Sequence, residues 1–127
     1  MSKSIAFNFV IDIYTARIHI LINCTEEEHN KYLKKWFPGD KYSPDEGYAA
    51  RTFVYHHSEG TQEYLIAFST RAKKDPIFVK TVSHESCHVA LEICDRVGIN
   101  VDTENQEAFA YLQGIIVQKI LEGAWKK

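Results

Sequence analysis

Residues 84–88 of this chain read H-E-S-C-H, with two histidines four positions apart and a glutamate directly after the first of them. On a helix, residues four apart lie on the same face, one turn from each other. Two neutral imidazoles in this arrangement can bind one zinc ion, and the glutamate between them can hold or deprotonate a water on that metal. The same pattern also occurs on ordinary helices with two histidines on their polar side, so the surrounding elements must be considered.

The residues around the motif predict a long helix, here called the motif helix, that opens at Asp75-Pro76 and ends at Gly98. Aspartate caps helix N-termini, proline suits the first helical position, and glycine commonly follows the last one. At about 100° per residue, His84 and His88 share one stripe of this helix. Because the remaining sides are mostly apolar, we expect the helix to be buried, with its histidine stripe satisfied by a metal.

The rest of the chain predicts an α+β fold, with a small, mostly antiparallel sheet packed on helices in a single domain spanning residues 1–127. His19 alternates with apolar neighbours and is expected to face solvent. Short connections favour two hairpins. Alternating apolar residues predict four strands, over residues 5–13, 18–22, 51–57 and 62–70.

Two capping boxes predict the remaining helices. Thr25, followed by a glutamate three residues later, opens the first helix, and Thr103 with Gln106 places the start of the last helix at about Glu104. The last helix carries Gly114 in its middle, where glycine costs about 1 kcal/mol relative to alanine. Close approach of the motif helix would explain that glycine.

A catalytic zinc site needs three protein ligands and an open position. Glu107 lies on the last helix, 19 residues after His88, within the sequence Glu-Ala-Phe-Ala-Tyr. With this glutamate the chain resembles the gluzincins, metallopeptidases in which a second helix supplies a glutamate to the zinc bound by H-E-x-x-H. It is most similar to small phage and mobile-element members, which pair the motif with a Glu-Ala-x-x-Ala-type or Glu-Ala-Phe-Ala helix. The resemblance covers about residues 77–121.

This resemblance implies a zinc-dependent peptidase that hydrolyses peptide bonds in a peptide or protein substrate. Zn²⁺ would be bound by His84, His88 and Glu107, and Glu85 would be the general base that takes a proton from the attacking water. Glu104 competes for the place of third ligand, although a glutamate in the first turn is already explained by the helix dipole.

The family also supplies a hydrogen-bond donor to the developing oxyanion. Tyr111 is the first candidate for this second catalytic role, followed by His56 and His57. In larger members the sheet edge beside the motif helix pairs with an extended peptide, and the hairpin over residues 51–70 is the nearest candidate here. The alternative function is a zinc-binding module that recognises a partner without cleaving it, and a metal-free structural domain is a third.

Composition narrows the classes of partner. The formal net charge of −2 and the absence of a basic run do not indicate nucleic-acid binding. No stretch approaches 18 uninterrupted apolar residues, so no membrane span is expected. The chain has three cysteines, Cys24, Cys87 and Cys94. An odd number does not indicate a disulfide framework. Because thiols stay reduced in the cytoplasm, we expect a cytoplasmic protein.

Overall fold

The computed structural model describes residues 3–40, 49–56 and 62–126. Over these residues a four-stranded sheet has one helix on one face and two helices on the other, which confirms the predicted α+β class. No helix in this part of the chain has the length and apolar character needed to cross a bilayer. The elements follow in the order β1 (Ile5–Ile11), β2 (Ala16–Ile22), α1 (Glu26–Trp36), β3 (Ala50–His56), β4 (Gln62–Phe68), α2 (Pro76–Arg96, the motif helix) and α3 (Glu107–Ala124).

The two predicted hairpins are present, and the sheet joins them through a parallel pair of strands. β1 pairs with β2 and β3 pairs with β4 in antiparallel register, whereas β2 and β4 run parallel. The strand order is therefore β1-β2-β4-β3. This order places β3 at an edge of the sheet, which matters for the candidate site described below.

The second strand is buried on both faces. Ile18 and Ile20 point towards α2 and α3, and the intervening His19 points towards α1 and is 0% exposed. The prediction that His19 faces solvent was wrong, because α1 covers the face that a two-layer fold would leave open. Its Nε2–H donates to Glu63 Oε1 at 2.7 Å, which leaves Nδ1 to accept from the Tyr32 hydroxyl, also at 2.7 Å.

The predicted start of α1 and both predicted ends of α2 are confirmed. The Thr25 hydroxyl accepts from the backbone N–H of Glu28, whose carboxylate accepts in return from the backbone N–H of Thr25. At the start of α2, Asp75 Oδ1 accepts from the backbone N–H of Phe78 at 2.8 Å. Gly98 follows the helix with a φ of 80°, the left-handed conformation that glycine adopts without a steric penalty.

The predicted capping box at Thr103 and Gln106 is wrong. α3 begins at Glu107, and Gln106 at the N-cap makes no side-chain capping bond. The reason is local competition: the Asp102 carboxylate accepts from the backbone N–H of Glu104 at 2.9 Å and holds this segment in a turn. Glu107 is thus the first residue of its helix rather than a residue one turn inside it.

The glycine that allows a close helix approach is Gly123, not Gly114. A Cβ at Gly114 would meet no atom within 4 Å, so the expected contact with the motif helix is absent there. A Cβ at Gly123 would overlap the ring of Phe7. The close approach is therefore between α3 and β1.

Because two histidines are buried in the fold, we expect acid to lower its free energy of unfolding. Burial lowers the pKa of His29, which is 3% exposed, from 6.5 to about 4. Burial also lowers the pKa of His19, against the opposing hydrogen bond and charge of Glu63. Since the unfolded chain takes up these protons near pH 6.5 and the folded chain does not, stability is complete above that pH and falls as the pH decreases.

We expect His29 alone to remove roughly 3 kcal/mol of the free energy of unfolding between pH 6.5 and pH 4. Urea unfolding at a series of pH values measures this loss. His29→Gln, which cannot take up the proton, should reduce the slope of stability against pH by about one proton. An unchanged slope in that variant would contradict the assignment.

Candidate metal centre

The two motif histidines lie on the exposed side of α2. Val82 and Val89 of this helix are fully buried against the core, whereas the side chain of His84 is 67% exposed and His88 is exposed too. The expectation that the helix is buried on most sides was therefore wrong. Within residues 3–40, 49–56 and 62–126, the sheet and α3 cover only one side of α2, and the histidine stripe is exposed to water.

The spacing of the imidazoles suits a shared metal ion. His84 Nε2 and His88 Nε2 are 3.2 Å apart, and the ring centroids are 4.8 Å apart with the planes at 78°. Two nitrogens bound tetrahedrally to zinc at about 2.05 Å lie roughly 3.3 Å from each other. The pair thus matches the separation of two zinc ligands without a change of helix geometry.

The motif glutamate is held differently from the histidines. Glu85 is only 7% exposed, and its Oε1 accepts a hydrogen bond of 2.7 Å from the Thr52 hydroxyl. Its Oε2 is 3.7 Å from His84 Nε2. The donor atoms of His84, Glu85 and His88 all lie within 4.8 Å of one another, a group that could hold a metal ion.

Sequence reasoning missed Thr52, which lies on the edge strand β3. The backbone N–H of Ser69 donates to the carbonyl of Ala49 at 3.0 Å, so residues 49 and 69 are a hydrogen-bonded pair. Such pairs alternate with non-bonded ones along an antiparallel ladder, and Thr52 opposite Ile66 is therefore non-bonded. The N–H and C=O of Thr52 point to the free edge, where no described strand pairs with β3.

Alternation in the sequence places Thr52 on one face of its strand but does not say which helix covers that face. The contact with Glu85 depends on α2 packing across β3, which a pattern along the chain does not record. This is why the residue that fixes the motif glutamate could not be named from the sequence.

The structure does not bring Glu107 into the group of donor atoms. Gln113 Nε2 donates to the carbonyl of Ser83 at 3.1 Å, and α2 and α3 run antiparallel. Glu107 lies six residues, roughly 9 Å, from this contact along α3, and His88 lies five residues, roughly 7.5 Å, from it along α2, so the two are at a similar height. Its side chain is nevertheless exposed, on the α3 face that also carries Tyr111, which is 71% exposed. The position of Glu107 along α3 therefore suits a ligand of the same metal as His88, but the face of α3 on which its side chain lies does not.

Of the other candidates, the structure describes the side chain of Glu104. Glu104 is exposed in the turn before α3 and is not among the grouped donors. His56 is the last residue of β3, opposite Gln62 in the register, and His57 lies outside the described residues. Because α3 begins at Glu107, the helix dipole now accounts for a glutamate at this position as it would have for Glu104.

No protein-family model, curated protein or solved structure matches this chain. The functional argument below therefore depends on the donor atoms and the elements that hold them.

Zinc content tests the site directly. We expect about one zinc per chain in protein purified without a histidine tag, and its loss in His84→Ala or His88→Ala, because each change removes one of two paired donors. Glu107→Ala is expected to lose zinc as well if the predicted third ligand is correct. Retention of zinc in both histidine variants would rule out the centre, and retention in Glu107→Ala alone would rule out that ligand.

Ser86, inside the motif, offers a separate prediction about stability. It is 0% exposed, and its Oγ has no hydrogen-bond partner among the described residues. An unsatisfied buried hydroxyl is destabilising, so Ser86→Ala should raise the free energy of unfolding by about 1 kcal/mol. Ser83→Ala is the matched control, since the Ser83 hydroxyl does contact Gln113. Destabilisation by Ser86→Ala would show that the hydroxyl has a partner.

Proposed function

We propose that this chain is a zinc-dependent peptidase in which Glu85 is the general base. The observation that supports it most is the contrast within one helical turn: two exposed imidazoles at zinc-ligand spacing lie beside a nearly buried carboxylate that a separate strand holds in place. In an ordinary surface helix whose histidines bind no metal, there is no reason for a strand to hold the neighbouring glutamate in place.

Zinc bound by His84 and His88 would supply a Lewis acid that lowers the pKa of a coordinated water toward about 7 and polarises the substrate carbonyl. Glu85 takes one proton as the water oxygen forms its bond to the carbonyl carbon. The same carboxylate then delivers that proton to the leaving nitrogen, and the C–N bond breaks to give a carboxylic acid and an amine. The second proton of the water stays on the new carboxyl group until it passes to the amine, which leaves a carboxylate and an ammonium group. Because Oε1 is engaged by Thr52, Oε2 is the oxygen that carries the proton.

The edge of the sheet supplies a place for the substrate chain. Along β3 the backbone groups of Ala50, Thr52 and Val54 point to the free edge, on the strand that contacts Glu85. An extended peptide can add to such an edge through main-chain hydrogen bonds, and its scissile bond would then lie near the carboxylate. This is the mode of binding that we propose for a peptide or protein substrate.

The remaining roles rest on the resemblance rather than on contacts. Glu107, at the height of His88, is the proposed third zinc ligand, and Tyr111, one turn further along α3, is the proposed donor to the oxyanion. A cytoplasmic location is also proposed, since all three cysteines, Cys24, Cys87 and Cys94, are free thiols, as is usual in a reducing compartment.

The decisive variant is Glu85→Gln, which keeps the shape of the side chain but cannot accept the proton. We expect it to retain zinc and fold and to hydrolyse peptides at least about 10²-fold more slowly. A peptide library incubated with the zinc-loaded protein, and read by mass spectrometry, first identifies a cleaved sequence. Glu92→Gln makes the same change at an exposed position of the same helix and should cleave as the wild type does.

Equal rates in wild type and Glu85→Gln would contradict the general-base role. Stoichiometric zinc with no cleavage of any peptide would instead favour the zinc-binding module that recognises a partner.

A further inference from the structure

We propose that Thr52 is the positioning residue for the general base, an inference that rests on the proposed peptidase function. Its hydroxyl donates to Glu85 Oε1 at 2.7 Å across 33 positions of the chain. The bond joins the edge strand β3 to the motif helix, and β4 lies between these two elements in the sequence. The position of the reactive carboxylate is thus set by the sheet as well as by its own helix.

The bond restricts the carboxylate in a specific way. A glutamate side chain has three rotatable bonds, and a free carboxylate exchanges its two oxygens by rotation about the last of them. Donation from Thr52 to Oε1 keeps that oxygen towards β3 and leaves Oε2 on the side of His84, 3.7 Å from its Nε2. Because Glu85 is nearly buried, water competes weakly for Oε1.

The same residue has a second, separable function at the sheet edge. The N–H and C=O of Thr52 point to the free edge, where the substrate strand is proposed to pair. Substitution by valine removes the hydroxyl while keeping the β-branched shape and these backbone groups. The side-chain role in catalysis can therefore be removed without disturbing the backbone role in binding.

The first test concerns the bond itself and uses the metal-free protein. The unfolding equilibrium constants of wild type, Thr52→Val, Glu85→Ala and the double variant form a double-mutant cycle. We expect the two single changes to be non-additive by about tenfold in the equilibrium constant, since each removes one partner of the same bond. Additive effects would overturn the proposal, whatever the protein cleaves.

The second test concerns catalysis in the zinc-loaded protein, with a peptide that the wild type cleaves. We expect Thr52→Val to keep its zinc and its KM and to lose about tenfold in kcat, and Thr52→Ser to recover most of that loss. Thr81→Val is the matched control, because it removes a hydroxyl that donates to the backbone carbonyl of Ile77 in its own helix and, among the described residues, to no strand. It should leave both constants unchanged.

The outcomes separate this proposal from the proposed function. Non-additive stability with a normal kcat in Thr52→Val would overturn the positioning role while leaving the peptidase intact. A zinc-loaded wild type that cleaves no peptide would overturn the peptidase and with it any catalytic role for Thr52, even if the cycle shows the bond.

Discussion

The burial of one side of α2 against the sheet fixes the directions in which the side chains of the candidate centre point. Val82, Val89 and Ile93 are fully buried and define the inward direction of the helix. With about 100° between successive residues, His84 must then point roughly 160° away from that direction and Glu85 about 60° away. One packing constraint thus produces an exposed imidazole stripe and a carboxylate at the margin of the core. The contrast between the exposed histidines and the nearly buried glutamate follows from helix geometry.

The second constraint is the pairing of the two hairpins. Because β2 and β4 form the parallel centre of the sheet, β3 is left at an edge, on the side where α2 crosses. Helix α1 covers the other face, so His19 between Tyr32 and Glu63 is part of a closed polar network in the core. A histidine satisfied on both ring nitrogens cannot bind a metal, which leaves the motif pair as the centre that the described residues offer.

The exposure of the motif histidines separates metal binding from folding. In small zinc domains the metal provides much of the folding free energy, because the ligands replace a hydrophobic core. Here the core is formed by the sheet with α2 and α3, and neither His84 nor His88 contributes to it. A bound metal would therefore stabilise the chain only through linkage between binding and folding. This arrangement suits a centre whose geometry serves chemistry rather than stability.

The sequence by itself determined the local elements: the motif helix with its Asp75 cap and Gly98 end, the capped α1, and the two hairpins. Each depends on neighbours within a few residues, which a linear pattern records. The start of α3 at Glu107 is also a local matter, set by the bond from the backbone N–H of Glu104 to the Asp102 carboxylate. Only the tertiary structure decided which strands of the two hairpins pair and which helix packs across β3. These two choices left Thr52 beside Glu85. Both depend on contacts between distant segments, whose energies no local spacing contains.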